Sequence, residues 1–381
     1  FLHTFLHTFL HTFLHTFLHT FLRARRMSAK PIKVLVVDDS LFMRAAIKTL
    51  LDSRPEFYVI DMAKDGKEAV EKVRSLRPDV VTMDFNMPRK NGVEAVVEIM
   101  QQCPTPVLMF SAHTRQGAKE TFEALHAGAF DFVTKPAGEV SAQLDGIADE
   151  LCTKLAAAAR STPRPKPTTP TRASLRTTRP ISVPTMRTSR TMTAVNPNPR
   201  IVFVAISTGG PVALSRVLPQ LPASLRVGMV IVQHMPPTFT RALAERLNAE
   251  SALEVREAVN GDIPCPGVVL IAPGGKHVEI DSGGAIRLIT GPLVHGCRPA
   301  ADVTMKSAAS VYGRRAIGLI MTGMGKDGAE GLLAIKQAGG KTLAQDKASS
   351  VIFGMPKAAL ELDAVDEIVA LDDIASKLQL L

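Results

Sequence analysis

The chain has 381 residues, 46% of them hydrophobic and 21% charged, with a formal net charge of +9, enough length for two or three domains that each bury a core. No apolar run reaches a membrane span, residues 1–26 lack a signal-peptide pattern, and Cys103, Cys152, Cys265 and Cys297 form no C-x-x-C pair, so a soluble cytoplasmic protein with free thiols and no membrane insertion is expected. The basic excess does not signal nucleic-acid binding: residues 27–159 carry 16 Lys+Arg against 19 Asp+Glu, residues 201–381 carry 17 of each, and the surplus lies at Arg23, Arg25 and Arg26 and in a Pro/Thr/Arg-rich stretch over 160–200 without aromatics.

Residues 1–22 repeat Phe-Leu-His-Thr five times and begin a sixth. Perfect repetition, followed by Met27-Ser-Ala-Lys with the look of a natural start, sets 1–26 apart as low-complexity sequence outside the fold. From Ile32 five short apolar strands alternate with helices. The strands are Ile32 to Val37 before Asp38-Asp39, Phe57 to Ile60, Val80 to Asp84, Val107 to Ser111, and Asp131 to Thr134 before Lys135-Pro136. Helices are predicted near 40–52, 66–76, 92–102 and 115–127, with one more running to about 159. This pattern is a doubly wound, flavodoxin-like (βα)₅ domain.

Its polar residues fall at one sheet edge, since Asp38, Asp39, Asp84, Ser111 and Lys135 all follow carboxyl ends of strands. Three carboxylates converging there repel one another unless a cation sits among them, and hard oxygen ligands suit Mg²⁺. A lysine and a hydroxyl beside them suit a phosphoryl group. Each residue alone has a duller reading, as a helix cap, a turn or a solvated charge; five gathered at four strand ends of one sheet edge do not.

Residues 160–200 hold eight prolines and nine basic residues, a composition that keeps a chain extended and builds no core. Strand–helix alternation resumes at Ile201. Ile201 to Ile206 delivers Ser207-Thr-Gly-Gly210-Pro211 into a helix starting near Val212; Val227 to Gln233 delivers His234 before a helix over about 239–249; Ala316 to Thr322 delivers Gly323-Met324-Gly325-Lys326-Asp327-Gly328. A second α/β domain with a mostly parallel sheet follows, over 201–381. Alone, Ser207 reads as a helix cap, His234 as structural and Asp327 as a turn. Together at three strand ends they suggest a nucleophile, a base and an orienting carboxylate. The order Ser, His, Asp and the absence of G-x-S-x-G separate the chain from α/β-hydrolases.

Two resemblances carry these readings further. Val36-Val-Asp38-Asp39-Ser, Met83-Asp84-Phe-Asn-Met87-Pro88, Asn91-Gly92 and Phe132-Val-Thr-Lys135-Pro136 resemble the motifs of response-regulator receiver domains. That resemblance implies that Asp84 accepts a phosphoryl group from a histidine kinase, with Asp39, Asp84 and the Asn86 backbone carbonyl as Mg²⁺ ligands and Asp38 assisting. Lys135 would contact the phosphoryl oxygens, Ser111 and Phe132 would form the switch pair, and Lys135-Pro136 would be cis. Ser207-Thr-Gly-Gly, Gln233-His234-Met-Pro-Pro, Ile271-Ala-Pro-Gly-Gly-Lys-His277, Met321-Thr-Gly-Met324-Gly-Lys-Asp327-Gly and Val351-Ile-Phe-Gly-Met-Pro356 resemble the catalytic domain of the chemotaxis protein-glutamate methylesterases, the CheB family. The implied domains are a receiver over 27–150, a helix end and linker over 151–200, and an esterase over 201–381. The implied activity is phosphorylation-activated hydrolysis of glutamyl methyl esters on chemoreceptors, with glutamine deamidation by the same acyl chemistry. The implied catalytic residues are Ser207, His234 and Asp327, with the Met324 N–H at the oxyanion; ester hydrolysis would need no cofactor. Two departures stand out: Ala205-Ile206 where Gly-Ala is usual, expected to tighten packing beneath the serine, and Ala300 where Arg-Pro-Ser is usual, which puts the role of Arg298-Pro299 in doubt. The rival reading is a non-catalytic response-regulator adaptor with a degenerate esterase domain.

Overall fold

The computed structural model describes residues 30–112, 114–135, 145–163 and 199–381. The Phe-Leu-His-Thr repeat, most of the 160–200 stretch and the Lys135–Pro136 peptide lie outside those residues. No described helix is long and apolar enough to cross a membrane.

The first sheet comprises β1 (Ile32–Val37), β2 (Phe57–Ala63), β3 (Val80–Asp84), β4 (Val107–Ser111) and β5 (Asp131–Thr134) in the order β2-β1-β3-β4-β5, every adjacent pair parallel. Its helices are α1 (Leu41–Asp52), α2 (Gly66–Leu76), α3 (Gly92–Gln102), α4 (Arg115–Ala127) and α5 (Ala148–Ala159). The first four start where short polar side chains accept first-turn amides: Ser40, Asp65, Asn91 in a capping box with Glu94, and Thr114. Alternation along each strand sends Val34 and Phe110 to a face covered by α1 and α5, through Ile47, Leu51, Leu151 and Leu155. Leu35 and Met83 face α2, α3 and α4, through Val73, Ile99 and Phe122. A sheet buried on both faces is what the near-continuous apolar strands predict.

The second sheet is built from β6 (Ile201–Ile206), β7 (Gly228–Gln233), β8 (Glu254–Glu257), β9 (Val268–Ile271), β12 (Ala316–Ile320), β13 (Lys341–Gln345) and β14 (Glu367–Val369), in the order β14-β13-β12-β6-β7-β9-β8. Every adjacent pair is parallel. The antiparallel part is a separate hairpin of β10 (His277–Ile280) and β11 (Ile286–Ile289). Helices α6 (Gly210–Val217), α7 (Pro237–Glu250), α8 (Ala301–Tyr312), α9 (Ala329–Gln337), α10 (Met355–Glu361) and α11 (Ile374–Gln379) complete the domain. Two helices start earlier than the sequence suggests. At α6 the left-handed Gly209 (φ 77°) completes the turn, so the helix begins at Gly210, two residues before Val212, and at α7 the fixed φ of Pro237 suits the first helical position.

The two domains touch. Phe132 of β5 stacks on Phe239 of α7, centroids 4.9 Å apart and planes 6° from parallel. Arg246 of α7 donates from Nη1 to the Phe122 carbonyl of α4 at 2.5 Å. Asp131, 2% exposed, accepts the Gly209 N–H at 3.2 Å.

Candidate active site

Strands β12, β6 and β7 are central neighbours of the second sheet, so Asp327, Ser207 and His234 follow neighbouring strand ends. The His234–Asp327 contact is made: Nε2 lies 2.6 Å from Oδ2. The Ser207 hydroxyl makes no hydrogen bond among the described residues; only its backbone is fixed. The Ser207 N–H donates to the Thr322 carbonyl at 3.0 Å, and its carbonyl accepts from the Gly210 N–H at 2.8 Å and from Gln233 Nε2 at 3.0 Å. Gln233 Nε2 also reaches the His234 carbonyl at 3.3 Å, so one buried amide holds the backbones of both residues. Its Oε1 packs where a Cβ on Gly210 would come within 2.0 Å, so only glycine fits there.

Asp327, 2% exposed, is held by amides. Oδ2 accepts the Ala301 N–H at 2.6 Å and Oδ1 the Asp302 N–H at 3.0 Å. These are first-turn donors of α8, whose N-cap Ala300 makes no side-chain cap hydrogen bond. Asp327 therefore supplies the acceptors that a serine at 300 would otherwise share in supplying, and the helix dipole favours its negative charge. Behind it Asp302 accepts from Gly331 N–H at 2.6 Å and contacts His295 Nε2 at 2.9 Å. The departure Ala205-Ile206 is fully buried: a Cβ on Gly328 would fall 2.7 Å from that of Ala205, and one on Gly210 2.9 Å from Ile206 Cγ1. The corner beneath Ser207 leaves no room for a side chain at Gly328 or Gly210.

Burial opposes a charged His234, yet the hydrogen bond to Asp327 and the adjacent Cys297 thiol outweigh it and push its pKa from 6.5 to about 9. Asp327 shifts the opposite way: the His234 partner and the two amides hold it below the usual carboxylate value despite burial.

Ser207, His234, Cys297, Arg298 and Met324 line a cavity of about 500 Å³ whose other wall comes from the first domain through Asp131, Phe132, Thr134, Glu150 and Lys154. The Met324 N–H donates to no acceptor among the described residues, leaving it free for an anion. Lys154, itself buried, bridges Glu150 at 2.7 Å and Asp131 at 3.5 Å.

At the first sheet's edge Asp38, Asp39 and Asp84 offer oxygens within 4.8 Å of one another, a donor set that fits a hard divalent cation. Lys135 Nζ lies 2.9 Å from Asp38 and 2.7 Å from Asp84. Burial, opposed by Lys135 and reinforced by the Asp38 charge, raises Asp84 to about 6. Asn86 is exposed in the following loop. The Ser111 hydroxyl turns toward α4, donating to the Gly117 carbonyl at 3.1 Å and accepting from Thr121 at 2.7 Å. Phe132 is buried against Phe239 rather than facing water.

Residues 202–378 match the CheB methylesterase family and residues 34–143 the response regulator receiver domain. A protein-glutamate methylesterase/protein-glutamine glutaminase of Symbiobacterium thermophilum is 46% identical over 346 residues, 91% of this chain and 96% of that one. The chain belongs to the CheB methylesterase family. A relative of the same description from Pyrococcus abyssi is 44% identical over 356 residues, 91% of this chain and 93% of its own. The solved CheB methylesterase catalytic domain of Thermotoga maritima aligns at 41% identity over 48% of this chain and 97% of that chain, with a TM-score of 0.46.

Several residues of this CheB-family chain escaped the sequence reading. Gln233 closes an apolar strand directly before His234, which was the available signal for its clamp. Asp131 and Asp302 gave none, because Gly209 and Gly331, whose amides they accept, lie 78 and 29 positions away, and neither the His295–Asp302 nor the Lys154–Glu150 pair stands out in the sequence.

Proposed function

We propose that the chain hydrolyses γ-glutamyl methyl esters on chemoreceptors in the cytoplasm, and deamidates glutamines by the same route, under control of phosphorylation at Asp84. Ser207 Oγ attacks the ester carbonyl while His234 takes its proton; the tetrahedral oxyanion rests on the Met324 N–H; His234 then returns the proton to the departing methoxide, releasing methanol. Water, deprotonated by the same imidazole, cleaves the acyl-serine to glutamate. Asp327 fixes the tautomer with Nε2–H toward its carboxylate and stabilises the imidazolium, leaving Nδ1 as the base. The observation that carries this reading is the 2.6 Å His234–Asp327 contact one strand from Ser207.

In the first domain Asp38, Asp39 and Asp84, with the Asn86 carbonyl, would hold Mg²⁺, which supplies charge neutralisation when a histidine kinase transfers its phosphoryl group. Lys135, paired with Asp38 and Asp84, would bind the phosphoryl oxygens, and Ser111 would leave Gly117 to join it. The receiver wall of the Ser207 cavity supports inhibition in the unphosphorylated state: Asp131 occupies the Gly209 N–H, two residues from the nucleophile, and Phe132, the switch aromatic, is stacked into the other domain. Phosphorylation shifts the population toward an open arrangement in which Ser207 and His234 meet.

The test is methanol release from methylated receptor by the full chain, with and without Mg²⁺ and a small phosphodonor. Ser207→Ala is expected to abolish release, and Asp84→Asn to make the rates with and without donor equal. An Asp84→Asn protein that responds like the parent would refute the switch, and a Ser207→Ala protein that still releases methanol would refute the nucleophile.

A further inference from the structure

The cavity that holds Ser207 contains a cation that the ester chemistry does not use. Arg298 lines it beside His234 and Cys297. One contact anchors its side chain, Nη1 donating to the Gly291 carbonyl at 2.5 Å, and the Gly275 N–H fixes its backbone carbonyl at 3.0 Å. Among the described residues no carboxylate pairs with it, and its Nε is buried without an acceptor. A guanidinium carries five donors in a planar fork that matches a carboxylate, so most of this fork is unspent. A partly buried cation without a counter-charge is costly unless something completes it.

The geometry points to a carboxylate as that partner. The first domain already presents an acidic wall to the same cavity, Asp131 and Glu150 against the single ammonium of Lys154. What displaces this wall meets Arg298, the one Lys or Arg that the second domain contributes to the lining. A methyl ester is neutral and gives Arg298 nothing to bind, but a helix that carries glutamyl esters also presents free acidic side chains. Residues three or four apart on a helix share a face, with Cβ atoms about 5–6 Å apart.

We propose that Arg298 is a specificity-determining residue that receives a free carboxylate one helical turn from the ester under attack, fixing the substrate helix so that the ester carbonyl meets Ser207. This rests on the methylesterase reading and adds to it which esters are preferred.

The experiment uses the full chain with Mg²⁺ and a phosphodonor, and two helical peptides that each carry one glutamyl methyl ester, with Glu four residues away in one and Gln in the other. The parent is expected to favour the Glu peptide by about tenfold in kcat/KM, mostly through KM, as one charged hydrogen-bonded contact gives. The preference should shrink as salt is raised. In Arg298→Gln the ratio should fall to near one, with residual turnover on both peptides showing that the variant folds; Arg298→Lys should retain part of the preference. Equal rates for the two peptides in the parent, or an undiminished ratio in Arg298→Gln, would overturn the assignment while leaving the methylesterase reading standing. If Arg298→Gln turns over neither peptide, Arg298→Lys decides, and a ratio of one there counts against the proposal. A parent inactive on both peptides and on methylated receptor would remove the methylesterase reading, and this inference with it.

Discussion

The two parallel sheets carry their chemistry at the same edge but hold it by different means. In the receiver, Asp38 and Asp84 are tied through the side chain of Lys135, and the Ser111 hydroxyl is parked on the Gly117 carbonyl. Each of these contacts is made by a side chain that can swing to a new partner. In the esterase the carboxylate of Asp327 is fixed by two main-chain amides, and the Ser207 and His234 backbones by one buried Gln233. A site held by backbone is preorganised for developing charge; one held by exchangeable ion pairs is suited to change state.

Asp327→Asn is the sharpest way to break this contrast. Asparagine keeps the shape but turns one acceptor into a donor that faces either the α8 amides or the imidazole, so tautomer and helix start conflict. A loss of kcat/KM on the order of 10⁴ is expected, read as methanol release with the phosphodonor present. Retention within tenfold would mean that the amide-held carboxylate is not what orients His234.

The pH profile sharpens the same comparison on a smaller scale. His234 must be neutral to act as base and its pKa is raised to about 9, so kcat/KM should climb about tenfold per pH unit through neutrality and level off near that value. Stability runs the other way. Because the folded pKa exceeds the unfolded 6.5, the His234–Asp327 pair contributes fully below 6.5 and its contribution fades as pH rises through about 9. Asp327, held low, adds stability above its usual 3.8 that is lost as pH falls below it. A rate profile that is flat from pH 6.5 to 9, beside a Tm that does not fall over the same span, would show that Asp327 does not raise His234.

What the sequence made legible follows from which interactions are local. Apolar runs fix the strands, and a polar residue at the end of each run marks the edge, so Asp84, Ser207 and His234 were readable before any geometry. The cap of α8 was not, since it arrives from Asp327, 26 residues beyond Ala301. Nor was Asp131 on Gly209, a contact spanning 78 positions and two domains. Hairpin β10–β11 went unread because its four-residue strands are too short for alternation to stand out. Ser207 and His234 share an edge, yet no hydrogen bond joins their side chains among the described residues: strand order sets backbone positions, whereas such a bond depends on side-chain rotamers.

The smallest predicted effect bears on the seam between the two regions. Phe132, the switch aromatic of the proposed function, packs flat on Phe239, with Lys154 Nζ 5.4 Å from the centre of its ring. Phe132→Leu keeps most of the apolar volume and removes the stack, which is worth roughly 1 kcal/mol beyond its buried area. The closed arrangement should lose about that much relative to the open one, since an open receiver has no Phe239 to stack on. Basal methanol release without phosphodonor should then rise about fivefold, and the further rise on adding donor should shrink by a similar factor, because donor and substitution act on one equilibrium. A basal rate equal to the parent's would place the inhibitory free energy elsewhere in the seam, at Asp131 or along α4 and α7. A raised basal rate with an undiminished response to donor would mean that Phe132 closes the site without conveying the signal.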